Sequence, residues 1–122
     1  MGPVVKRQNY RIWDFAVGHS RLNLRHADVD ANDGSTRNID IIFSGVEYME
    51  LPDILEDLVL DFPTEEELAY LAGRCRFFSV ESKCHVLVAG GRRYYVVAGG
   101  PHIEENTLPL FTSFLEAEKE EE

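Results

Sequence analysis

Ser20 follows His19 directly, with Asp14 a short way upstream, and Cys84 precedes His85. A hydroxyl or thiol beside an imidazole and a carboxylate is the raw material of nucleophilic catalysis. The geometry argues against it here. Neighbouring residues on a strand point to opposite faces, so Cys84 and His85 cannot aim at one substrate atom from the same side. No Gly-x-Ser-x-Gly elbow presents Ser20. A capped turn explains His19 and Ser20 more simply, and a hydrolase using His19, Ser20 and Asp14 stands as an alternative.

Other constellations fall short of a site. Asp28-Val29-Asp30-Ala31-Asn32-Asp33-Gly34 approaches a calcium loop, but Asp33 and Ile39 occupy the places that need Gly and Glu. His19, His26, His85, His102 and the two cysteines show no paired zinc-ligand spacing. Gly90-Gly91 and Gly99-Gly100 lack the order of a phosphate-binding loop and lie between strands, so they read as turns. The repeat of Val-Ala-Gly-Gly at 88–91 and 97–100 reads as two strand ends. No cofactor is expected.

Charge is the stronger signal. Between Asn38 and Gly73 stand ten acidic residues and neither lysine nor arginine, although the chain holds 12 basic residues in all. A one-signed stretch builds a negative face that selects partners by charge. Tyr48, Met49 and Leu51 are set among those acids, and aromatic or Met anchors inside a charged rim are what protein interfaces use. The predicted recognition face is Glu47, Tyr48, Met49, Glu50, Asp53, Glu56 and Asp57, and its partner a cationic protein. With a net charge of −10, nucleic acid is disfavoured, and Arg92-Arg93-Tyr94-Tyr95 is expected to pair internally with the acids.

These residues must be positioned by strands. Leu22 and Leu24 alternate with Arg21, Asn23 and Arg25, and Ile39, Ile41 and Phe43 with Asp40, Ile42 and Ser44, the period of half-buried antiparallel strands. Tyr10 to Val17 reads as a preceding strand, with Ala27 to Arg37 a surface loop. Val46 to Met49 either pairs back or continues the third strand as a bulge, and Asp53 to Asp57 reads as a turn or helical piece. Leu58 to Phe62 is a further strand. Thr64, three residues ahead of Glu67, caps a helix over 64–72 that closes at Gly73. Strands follow at 74–80, 84–89 and 92–98, with a tight turn at Gly90-Gly91. The segment 102–115 fits an edge strand or a closing helix, and 116–122 reads as a disordered acidic tail.

At 122 residues and 44% hydrophobic composition, one globular domain over 1–115 is expected. No run approaches the length of a membrane span, so the chain is expected to be soluble and cytoplasmic. Cys75 and Cys84 are predicted on the two arms of a hairpin turning near Glu81-Ser82, too far apart to bridge, and therefore as free thiols.

The run from Trp13 through His19-Ser20-Arg21-Leu22-Asn23-Leu24-Arg25, and then Ile39 to Val46, resembles small acidic β-rich bacterial proteins of uncharacterised families, including immunity proteins of polymorphic-toxin systems. The resemblance covers roughly the first 50 residues and implies a non-catalytic, cytoplasmic inhibitor that sheathes a toxin domain. The residues together predict an α+β domain, mainly an antiparallel half-barrel or sandwich with one short helix near 64–72. Its expected function is protein binding. A small-ligand-binding β-barrel, with a pocket lined by Trp13, Tyr94 and His85, is the other alternative.

Overall fold

A computed structural model describes residues 5–75 and 83–121 of the chain. Its strands are β1 (Tyr10–Ala16), β2 (Arg21–Val29), β3 (Thr36–Glu50), β4 (Ile54–Leu55), β5 (Val59–Asp61), β6 (Cys84–Ala89) and β7 (Arg92–Asn106). Two helices with described bounds accompany them, α1 (Glu65–Ala72) and α2 (Phe114–Glu121). The strands make one seven-stranded antiparallel sheet in the order β4-β1-β2-β3-β7-β6-β5. It is the predicted α+β class, realised as a curled half-barrel. No described helix is long and apolar enough to cross a membrane.

The curl follows from connectivity. The two edge strands, β4 and β5, are separated in the chain only by Glu56, Asp57 and Leu58, so the sheet bends until its edges meet. Main-chain bonds draw the seam together: the Leu58 N–H donates to Gln8 O (3.0 Å) and the Gly90 N–H to Glu56 O (3.2 Å).

Alternation sorts the side chains. Leu22, Leu24, Ile39, Ile41, Phe43, Leu87 and Val96 turn inward with Tyr10, Leu55, Leu58 and Leu60 into one core. Outward, part of the sheet is covered by α1, which packs Leu71 and Leu68 on Val86 and Val97. Another part, over β2 and β3, is buried but polar. Arg25 and Asp40 face each other across the strand pair with both side chains fully buried.

That polar layer is nearly saturated. Asp40 accepts from Arg25 Nε (2.7 Å), Arg25 Nη2 (2.9 Å), Asn23 Nδ2 (3.0 Å) and Asn106 Nδ2 (2.7 Å). Arg25 Nη1 donates to Thr112 O (2.9 Å) and Leu110 O (3.3 Å), and its guanidinium lies 5.4 Å from the Trp13 ring centroid. Desolvating such a pair costs several kcal/mol per ion unless the remaining donors and acceptors are met; here they are met by the segment after β7. Ser113 Oγ donates to Asp14 Oδ2 (2.6 Å) and caps α2 by accepting the Glu116 N–H (3.1 Å). The Phe114 N–H donates to Asn23 Oδ1 (3.0 Å). Residues 110–114 thus form a strap fastened to β1 and β2.

Several expectations need correction. The 27–37 loop shortens to 30–35, because β2 and β3 stay paired out to Val29 opposite Thr36. Val46 to Met49 continues β3 past an irregularity, and 53–57 holds β4 and a turn. The second double glycine ends no strand. Gly90-Gly91 is the β6–β7 turn, both residues at positive φ, as a two-residue hairpin requires. Gly99 and Gly100 instead lie inside β7 where its register with β3 shifts. A Cβ on Gly100 would meet Ile42 O at 2.9 Å, at a φ of +104°, so only glycine fits there. The strand runs on to Asn106, and the closing helix comes after it. The tail predicted as disordered from 116 carries α2 through Glu121, making a second helix, with Leu115 buried and Ser113 as its cap. The strand predicted over 74–80 and the turn at Glu81-Ser82 fall mostly outside the described residues. Cys75 and Cys84 are both free, as expected, and both belong to the cluster around Leu71 and Val97 under α1.

Candidate functional site

The helix α1 organises the outer face. Thr64 and Glu67 form the predicted capping box: Thr64 Oγ1 accepts the Glu67 N–H (3.1 Å) and Glu67 Oε1 accepts the Thr64 N–H (2.9 Å). This fixes both the start of the helix and the Glu67 side chain. The cross-strand register sets Glu50 opposite Tyr95 and Tyr48 opposite Val97.

A connected layer of tyrosines and carboxylates results. Tyr48 Oη donates to Glu50 Oε2 (2.6 Å), and Tyr95 Oη to Glu67 Oε2 (2.7 Å). The Tyr70 ring lies 5.9 Å from that of Tyr95, with the Arg74 guanidinium 3.7 Å above Tyr70. Arg93 donates to Glu67 (2.8 and 2.9 Å), to Asp61 (3.0 Å) and to Phe62 O (3.1 Å). Arg93 hydrogen bonding holds the Glu67 carboxyl down to about 2, against the opposing effect of burial. The hydrogen bond to Glu67, then burial, pushes Tyr95 up to about 12. Tyr48 is raised as well, by burial first and then by Glu50 and Tyr70. These phenols stay protonated at neutral pH and act as donors.

The seven predicted face residues divide. Tyr48 and Glu50 join this layer. Met49 sits opposite Val96 and turns to the other side of the sheet. Glu47 is paired with Lys83 (3.1 Å), and Asp57 with Arg7, whose Nε is 3.1 Å from Asp57 Oδ1. Asp53 and Glu56 lie along the seam, where their carbonyls accept from Ile12 and Gly90. Cations from the flanks therefore neutralise part of the acidic run, Asp61 and Glu67 included, and Arg93 pairs internally as expected. Among the described residues, no ion pair engages Glu50, Glu65 or Glu66. Tyr70, Tyr95 and Glu67 were not in the predicted face; the capping box located Glu67, but only the β3–β7 register brings it to Glu50.

The alternatives find little geometry. Asp14 is occupied by the Phe15 N–H (2.8 Å) and Ser113 Oγ (2.6 Å), and Ser20 closes a left-handed turn at φ 48°. Both are structural roles, and the His19 side chain lies outside the described residues. Trp13, Tyr94 and His85 do not line one cavity. Trp13 lies by Arg25, Tyr94 borders a groove with Ile54 and Arg92, and the His85 ring packs at a tilt against Phe43 (5.1 Å). Burial lowers the His85 pKa, opposed by its hydrogen bond to Ala98 O (2.9 Å). In the exposed Asp28–Gly34 loop, two carboxylates are taken by the loop's own backbone: Asp30 accepts from the Asn32 N–H (2.7 Å) and Asp33 from the Ser35 N–H (2.8 Å). No family model, curated protein or solved structure matches the chain.

Proposed function

We propose that the chain is a non-catalytic protein-binding module that takes a cationic protein partner on the face formed by α1 and the end of β3. The observation that carries this reading is the outer layer of Tyr48, Glu50, Tyr70 and Tyr95 beside Glu65 and Glu66. Tyrosine supplies large contact area with a polar tip, while carboxylates without a cation partner steer a basic protein into place. An immunity-type inhibitor of a basic toxin domain is the finer form of the proposal. It rests on the resemblance of residues 13–46 and on the acidity of this face.

The test is a binding measurement against a panel of purified basic toxin domains, by biolayer interferometry at two salt concentrations. Replacing Glu50, Glu65 and Glu66 together by lysine should slow association sharply and remove its salt dependence. Replacing Asp53 and Glu56 by lysine, on the seam, should leave it nearly unchanged. Equal losses from both variants, or no binder in the panel, would end the reading.

A further inference from the structure

The outer layer around α1 already receives two of the chain's own arginines, in two different ways. Arg93 sets paired donors on the Glu67 carboxylate (2.8 and 2.9 Å). Arg74 places its guanidinium 3.7 Å from the Tyr70 ring centroid and donates to Tyr70 O (3.1 Å). One contact uses a carboxylate edge, the other a ring face, and both are arrangements that a planar guanidinium favours.

Glu50 repeats the setting of Glu67 without the arginine. Each carboxylate accepts a tyrosine hydroxyl, Glu67 from Tyr95 (2.7 Å) and Glu50 from Tyr48 (2.6 Å). Tyr95 stands opposite Glu50 in the β3–β7 pairing, so their side chains share one face of the sheet. Tyr48, two residues before Glu50, points to that same face. The Tyr70 ring packs 5.9 Å from that of Tyr95 and is 38% exposed. Among the described residues, the Glu50 carboxylate has the Tyr48 hydroxyl as its one hydrogen-bond donor. It is half-buried, with acceptor capacity to spare.

We infer that the cationic partner anchors on this face through an arginine, its guanidinium paired with the Glu50 carboxylate and stacked against the tyrosine rings beside it. The inference rests on the reading of this face as a protein-binding surface and adds the identity of the anchoring side chain. A guanidinium is flat, carries five donors in a fixed fork and is weakly hydrated, so it gains from the carboxylate edge and from the rings together. A lysine ammonium is a strongly hydrated point charge and gains mainly from the carboxylate. The phenols of Tyr48 and Tyr95 stay protonated at neutral pH, so they add ring surface without adding charge.

The experiment is an NMR titration of the full chain, at low ionic strength, with two end-blocked peptides of equal length and charge. One alternates glycine with arginine and the other glycine with lysine. Both should shift the amides of residues 48–50, 70 and 95, with the arginine peptide bound about tenfold more tightly, the effect of one paired and stacked guanidinium. Glu50→Gln removes the charge and keeps the shape, and Tyr70→Leu removes an exposed ring. Each should narrow the ratio to about twofold or less. Equal affinity for the two peptides overturns the inference and leaves the face a cation-binding surface. Binding of neither peptide overturns the inference together with the reading beneath it. A full arginine preference retained in either variant also overturns it, because the preference then comes from other residues.

Discussion

Arg25 and Arg93 each grip carboxylates brought from other elements, yet they stand in opposite settings. Arg25 holds Asp40 with both side chains fully buried and adds the carbonyls of Leu110 and Thr112. Arg93 holds Asp61 and Glu67 at the surface, with 35% of its own side chain exposed. The chemistry is the same, and solvent separates the consequences. Water can replace Arg93 for its acids, but nothing replaces Asp40 for Arg25. The buried pair therefore dictates where the strap docks, whereas the exposed cluster tunes the orientation of α1 and the charge of its face.

The comparison breaks most visibly at Asp40. Asp40→Ala leaves Arg25 charged and unpaired in the interior and should cost about 3–5 kcal/mol, measured as a fall in the urea midpoint. A loss no larger than that of a surface substitution would mean that water reaches Arg25 and that the strap is loosely held. Replacing the whole pair, with Arg25→Met and Asp40→Leu together, should cost less than Asp40→Ala alone if the single loss comes from the stranded charge.

Arg93→Ala should cost about 1 kcal/mol or less, and less again at high salt. A loss near that of Asp40→Ala would erase the distinction between the two arginines.

The smallest effect is a slope. The folded-state pKa of Glu67 is about 2, against an ordinary value of 4.5, so the unfolded chain binds the proton more readily. The stabilisation is complete above about pH 4.5 and declines as pH falls toward about 2. In Arg93→Ala, this acid-side slope in unfolding free energy should flatten, because the main cause of the shift is gone. An unchanged slope would assign the low pKa to the helix cap and Tyr95.

Local chemistry was readable in the sequence. Thr64 and Glu67 announced the helix cap, Gly90-Gly91 announced the hairpin, and the alternation of Leu22 with Asn23 and of Ile41 with Asp40 announced one dry and one polar face. Register was not. The alternation placed Arg25 and Asp40 on the outward side, but only the pairing of β2 with β3 shows that they meet there and are buried. The pairing of Arg93 with the acidic run was legible, but Arg7 and Lys83 lie far away in the chain and reach that run only through the fold. The glutamate-rich end looked like solvated coil. Its first turn, however, contains Leu115, buried, and Phe114, whose N–H meets Asn23, and those contacts seed the helix that follows.

The seam between β4 and β5 has a bearing on how copies of the chain meet one another. An exposed strand edge is a template for growth by addition of further strands, the route to fibres. Here the edges are two and three residues long and are turned toward each other across Glu56, Asp57 and Leu58. The curl that encloses the core also keeps these two terminal strands short and turned toward each other, a restraint on self-propagating aggregation that comes from topology.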